Sequence, residues 1–188
     1  MEVGAYNPPV HAELQAVIDE FESALVRLRA LRDNVPASQW VSRPEPERWS
    51  IGECVAHLNL TSTAFLPLMR TGLDEARRSG HAASARYRRD VLGWLLWRSM
   101  GPPVKRKFKT TAPFVPRSDR TSADLVSEFE RLQGEQLVLA RAADGLPIDR
   151  VKIASPFNPR LRYNLFSALS ILPRHQHRHL WQAEQNLQ

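Results

Sequence analysis

Three of the chain's six histidines, His175, His177 and His179, fall within five residues of sequence. In a helix, His175 and His179 stand i,i+4 on one face with Cβ atoms ~6 Å apart. Two neutral imidazoles so placed can close on one divalent metal, as the paired histidines of H-E-x-x-H do in zinc proteases. His177 turns ~200° away from each of them and is excluded from such a site. A two-imidazole site needs at least one more ligand, and His57 is the best candidate. It lies in a second well-marked helical stretch, within ~60° of Cys54 and ~40° of Thr61, on the flank of an apolar stripe that faces other helices. Gln182 and Asn186 continue the polar strip beyond His179. Burying such a strip is costly unless something satisfies it, and a metal with bound water would do so. Three imidazoles leave open positions, the layout of a catalytic rather than a structural site. The spacing alone also fits surface histidines or hydrogen-bonded core histidines.

The elements that would position these residues are helical. Leu14, Val17, Ile18, Phe21, Ala24, Leu25, Leu28 and Leu31 recur mostly at steps of three and four, predicting a long amphipathic helix over 10–32. Prolines 36, 44 and 46 make 36–48 a loop. Ser50 and Glu53 then match a capping box. Ile51, Cys54, Val55, Leu58, Ser62, Phe65 and Met69 form the stripe of the second helix, which Pro67 kinks or ends. The small, polar residues 70–84 read as a connection, followed by a basic helix over 85–100. Residues 105–109 and the prolines after them read as a long loop. Thr121 caps a third core helix carrying Leu125, Phe129, Leu132, Gln136, Leu139 and Ala143, which Gly145 and Pro147 stop. A last helix over 163–186 contains Pro173, where a bend or wide turn is expected just before the histidines. No stretch alternates with a two-residue period, so no sheet is expected. The fold class is all-α: a four-helix bundle with an additional short basic helix and long connecting loops, in one domain over 1–188.

Bulk properties narrow the function. Hydrophobic residues make up 43% of the 188, enough for a sizeable core. The balance of 26 basic to 20 acidic residues gives +6, which favours anionic ligands but does not by itself imply nucleic acid. The single cysteine, Cys54, rules out an intrachain disulfide framework and points to a reducing compartment. It lies on the apolar face and reads as a small core residue. Residues 1–4 do not resemble a signal peptide, and the most apolar run, 91–97, is far short of a membrane span. A cytoplasmic protein is expected. There is no phosphate-binding glycine loop, no nucleophile elbow and no Cys-x-x-Cys.

Two segments together resemble the DinB-like, or YfiT-like, superfamily of four-helix proteins. Trp49-Ser50-Ile51-Gly52-Glu53-Cys54-Val55-Ala56-His57-Leu58 is similar to its W-S-x-x-E-x-x-x-H-L signature. His175-Gln176-His177-Arg178-His179-Leu180-Trp181-Gln182 is similar to its terminal H-x-x-R-H-x-x-Q. The order and separation of the two also fit. The resemblance implies a down-up-up-down-like bundle, a divalent metal on His57, His175 and His179, and frequent homodimers. It further implies a small-molecule substrate. Some members resemble transferases that attach a low-molecular-weight thiol to an electrophile, others are thiol-dependent isomerases, and many are described as metal-dependent hydrolases. Imidazole ligands suit zinc, nickel, iron and copper alike; zinc or nickel is expected here.

Three functions follow as expectations. In the first, the metal activates a thiol, whose thiolate is the nucleophile. In the second, a metal-bound water hydrolyses the substrate. That reaction wants a general base, and the nearest carboxylate by sequence, Glu53, is better explained as a cap. The third is a non-enzymatic binding module built on segment 86–109, where basic residues surround Trp94 and Trp97. Within the second motif, Trp181 reads as core or pocket wall. Arg178 would bind an anionic substrate group or cap a neighbouring helix.

Overall fold

The computed structural model describes residues 10–103, 110–117 and 120–187. The long apolar stripes become four long helices: α1 (Ala12–Asn34), α3 (Ile51–Arg78), α5 (Ser122–Ala142) and α6 (Leu165–Glu184). Helices α1 and α3 both pack on α5 and on α6, so each of the two pairs α1/α3 and α5/α6 sits on a diagonal of the bundle. The short helices α2 (Ala37–Val41) and α4 (Val91–Met100) lie outside it, against α3 and α6 respectively. Among the described residues no helix is long and apolar enough to cross a membrane.

Helix α3 starts where the capping box predicts. Ser50 Oγ accepts from the Glu53 backbone N–H at 3.2 Å, and Glu53 Oε2 accepts from the Ser50 N–H at 2.8 Å. Its end differs from expectation. Pro67 lies inside the helix, which runs on to Arg78 through residues read as a connection. The ~3 kcal/mol cost of an interior proline is outweighed by burial on either side of it, from Phe65 and Leu66 to Met69, Leu73 and Ala76. Gly72 lets a neighbouring element approach closely, since a Cβ there would stand 2.9 Å from Ile153 Cγ2.

That neighbour is a second difference. Strands β1 (Lys152–Ala154) and β2 (Arg162–Asn164) form an antiparallel hairpin, with Ile153 opposite Tyr163. Three-residue strands are too short to show a two-residue alternation, which is why the sequence gives no sign of a sheet. The hairpin hands over directly to α6, whose cap Asn164 accepts from Ser167 N–H at 2.8 Å. Asp90 ties this start to that of α4. One of its oxygens accepts from Gly93 N–H at 2.8 Å and the other from Asn164 N–H at 2.9 Å. Asp90 thus starts α4 six residues later than the basic helix was expected to begin. Helix α6 passes through Pro173 without interruption, so the wide turn expected there does not form. Pro173 is buried, with Leu169, Leu172 and Leu180 holding α6 in the core on both sides.

The core divides into two apolar clusters. Along each long helix the division falls at one level: between Phe21 and Ala24 on α1, Leu58 and Phe65 on α3, Phe129 and Leu137 on α5, and Leu172 and Leu180 on α6. Most of the residues buried in the layer at that level are polar, among them Thr61, Ser62, Gln133, Gln136, His175, Gln176 and His179.

Candidate metal centre

Helices α3 and α6 bring three histidines together within the layer. His57 comes from α3 and retains 2% exposure; His175 and His179 come from α6 and retain 7% each. Their ligating nitrogens all lie within 4.8 Å of one another. His57 Nε2 stands 3.3 Å from His175 Nε2, and His179 Nε2 stands 3.1 Å from the same atom. Thus α6 presents His175 and His179 on one face, and α3 faces them with His57, as the spacing predicts. His177 points elsewhere: its Nδ1 meets Arg27 Nη1 at 2.8 Å and its Nε2 meets the Glu20 carbonyl at 3.0 Å, both on α1.

The protonation of this cluster follows from its surroundings. His57 Nδ1 lies 2.7 Å from the Phe114 carbonyl oxygen, which can only accept, so Nδ1 carries the proton. Nε2 is left as a lone pair aimed at His175. Burial lowers the His57 pKa, and the bond to Phe114 opposes that fall. Burial, then the charges of His57 and Arg178, hold His175 well below the ordinary histidine range. His179 is likewise held well below it by burial, His175, His57 and Arg178, with Gln182 acting the other way. All three are therefore neutral imidazoles at neutral pH, the form that ligates a metal.

Does this donor set fit a metal? Three neutral imidazoles cannot satisfy one another, because each has one donor and one acceptor and three Nε2 atoms crowd one point. His175 Nδ1 is buried with no hydrogen-bond partner among the described residues. Metal–nitrogen bonds of ~2.0–2.1 Å in tetrahedral geometry separate ligand nitrogens by ~3.3 Å, close to the 3.1 and 3.3 Å found here. The set fits a borderline divalent ion.

Aromatic rings wall the centre. Trp49 lies 4.9 Å from the His57 ring and stacks 5.8 Å from that of His179. Phe157 lies 5.9 Å from His175 and 4.2 Å from Phe114. Phe114 sits in a short 3-10 turn, residues 112–114, inside the connection that precedes α5. Phe114 and Phe157 had no periodic signal to reveal them, since both stand in connections. Glu53 is not at the centre. It closes the capping box and pairs with Arg43, whose Nε donates to Oε2 at 2.8 Å. Among the described residues no carboxylate joins the three-histidine cluster. Cys54 is core, as expected, and burial pushes its thiol pKa up to about 12.

The remaining motif residues also have places. Asn186 Nδ2 donates to the Trp49 carbonyl at 2.8 Å, holding the end of α6 against the start of α3. Trp181 is half-buried and Arg178 is buried. Gln176 has its side chain in the bundle centre, paired with Gln133 in both directions at 2.8 and 3.1 Å. In the basic segment, Arg86 pairs with Glu13 at 2.8 Å and Arg89 turns inward onto Trp97. The basic run at 105–109 lies outside the described residues. Two surface concavities of about 360 and 390 Å³ lie away from the histidines, beside Asp124 and beside Leu95.

The family model of the DinB superfamily matches residues 20–183, from within α1 to the penultimate residue of α6. No curated protein matches the chain, and no solved structure does.

Proposed function

The chain belongs to the DinB superfamily, and from that premise we propose that it is a metal-dependent enzyme, a transferase that activates a low-molecular-weight thiol. His57, His175 and His179 are its metal ligands, and zinc or nickel is the ion. The observation that carries this reading is the convergence of three buried, neutral imidazoles on one point with no carboxylate among them. A divalent ion held there would lower the pKa of a bound thiol and so supply thiolate at neutral pH, the proton passing to solvent without a general base.

The chain's own residues prepare the rest. The Phe114 carbonyl fixes the His57 ring and its tautomer. Arg178 lies close enough to depress the pKa of His175 and His179, and the same positive field favours a thiolate over a thiol. Trp49, Phe114 and Phe157 keep bulk water from the nucleophile and offer apolar surface to an electrophile. Hydrolysis is less well supported, because the nearest carboxylate in sequence, Glu53, is engaged by Ser50 and Arg43.

The test is a screen of metal-loaded protein with low-molecular-weight thiols and alkylating or epoxide electrophiles, following thiol loss and adduct by mass spectrometry. Metal-dependent adduct formation that His175→Ala abolishes is the expected result. Metal-dependent ester or amide cleavage without thiol consumption would replace transfer by hydrolysis.

The homodimer is part of the same proposal. Val91, Trp94 and Leu95 expose 79, 47 and 53% of their surface along one side of α4 and are its contact. Light scattering on Leu95→Asp beside the parent tests it, with a dimeric parent and a monomeric variant expected.

A further inference from the structure

Arg174 lies on a different face of α6 from the histidines, ~100° round from His175. Its guanidinium carbon stands 4.2 Å from the centre of the Trp97 ring on α4. Arg89, just ahead of α4, places its own guanidinium carbon 4.2 Å from the same ring and 5.3 Å from that of Phe166. Gly101, at the end of α4, makes room for this, since a Cβ there would stand 2.6 Å from Arg174 Nη2. Glu20 of α1 completes the group. Burial pushes its carboxyl pKa up, and the charges of Arg174 and Arg89 pull it back down.

These side chains are close but do not satisfy one another. Glu20 Oε2, Arg89 Nε, Trp97 Nε1 and Arg174 Nε are all buried without a hydrogen-bond partner among the described residues. Three N–H donors and one carboxylate oxygen left unmet in one place is unusual, because buried polar groups are nearly always paired. The two cations also work against each other. Burial lowers the Arg89 pKa, Glu20 raises it and Arg174 lowers it again. Arg89, Trp97 and Arg174 are each half-buried, so the group reaches the surface.

We propose that Arg89, Trp97 and Arg174 form a binding site for a small oxyanion, a carboxylate or phosphate group, separate from the histidine centre. A guanidinium offers paired N–H donors that match two oxygens of such a group. The indole N–H supplies a further donor. Stacking on Trp97 holds both guanidiniums before the anion arrives, which lowers the ordering cost of binding. Glu20 opposes the anion and limits its affinity.

The test follows tryptophan fluorescence and thermal unfolding of the full chain as inorganic phosphate or acetate replaces chloride at constant ionic strength. A saturable response to at least one of them is expected; phosphate alone assigns a phosphate group, and both assign a general oxyanion site. Arg89→Met and Arg174→Met should each weaken binding about tenfold or more. Arg89→Lys, which keeps the charge but not the fork, should also weaken it. Glu20→Gln should tighten it, and Arg98→Met, on the exposed side of α4, should leave it unchanged. No saturable response in the parent overturns the proposal. So does a response that survives both Arg89→Met and Arg174→Met, which would place the anion elsewhere, the histidine centre included.

Discussion

His57 Nδ1 donates to the Phe114 carbonyl at 2.7 Å, and this bond joins a connection to the centre of the bundle. It does for His57 what an outer partner does for a metal-bound imidazole: it fixes the tautomer and aims the free nitrogen. The Phe114 ring packs 4.2 Å from Phe157 and so secures the turn that presents the carbonyl.

Phe114→Ala should therefore loosen the turn and weaken metal binding about tenfold, within the range known for outer partners. The bundle itself should stay folded, because Phe114 lies outside the four long helices. Chelator competition, with circular dichroism as the folding control, measures this. Unchanged affinity would mean that the Phe114 ring is not what secures the turn presenting this carbonyl.

Much of this centre can be read in the sequence and part of it cannot. The three histidines announce themselves through helical spacing and a capped helix start, both of which are local properties. The Phe114 carbonyl does not, because every residue has a carbonyl and only the path of the chain brings this one to His57. The same holds for α3 beyond Pro67. Local rules stop a helix at proline, and the burial that carries it on to Arg78 comes from β1 and α6, distant in sequence. Trp40 on α2 is buried although prolines on both sides mark the region as loop. In the sequence Arg89 is one of the basic residues of segment 86–109, and only the packing of α4 on α6 turns it onto Trp97.

The cap of α3 gives a stability prediction with a definite sign. Burial raises the Glu53 pKa, but the bonds from Arg43 and Ser50 outweigh it and hold the carboxyl below the ordinary glutamate range. A pKa lower in the folded than in the unfolded chain stabilises the fold above the unfolded value, and that stabilisation is lost as the pH falls through the folded one. Glu53→Gln should cost about 1–2 kcal/mol near neutrality. The gap from the parent should narrow below the unfolded pKa of ~4.3. Urea unfolding at several pH values measures it; a gap that stays constant down to acid pH would show that the charge of Glu53 is not what matters.

The amides of the polar layer act as a unit. Gln176 Nε2 donates to Gln133 at 2.8 Å and to Gln136 at 3.0 Å, and Gln133 Nε2 donates to the Phe21 carbonyl at 2.6 Å. Gln176→Leu strands two buried carbonyls and should cost about 2–3 kcal/mol. Replacing Gln133, Gln136 and Gln176 together by Leu should recover much of that loss, since no buried partner is then left behind apart from Phe21 O. Chemical denaturation of the single and triple variants decides; additive losses would show that the three do not act together.

The proposed metal centre requires that His57, His175 and His179 together hold a divalent ion. Elemental mass spectrometry on untagged protein, purified without chelator, tests it most directly, with His179→Ala and His177→Ala measured alongside. About one equivalent of zinc or nickel is expected in the parent, little in His179→Ala and the parental amount in His177→Ala, whose ring faces Arg27 and Glu20 instead. No metal in the parent after reconstitution with zinc and nickel, or equal loss in both variants, would contradict it.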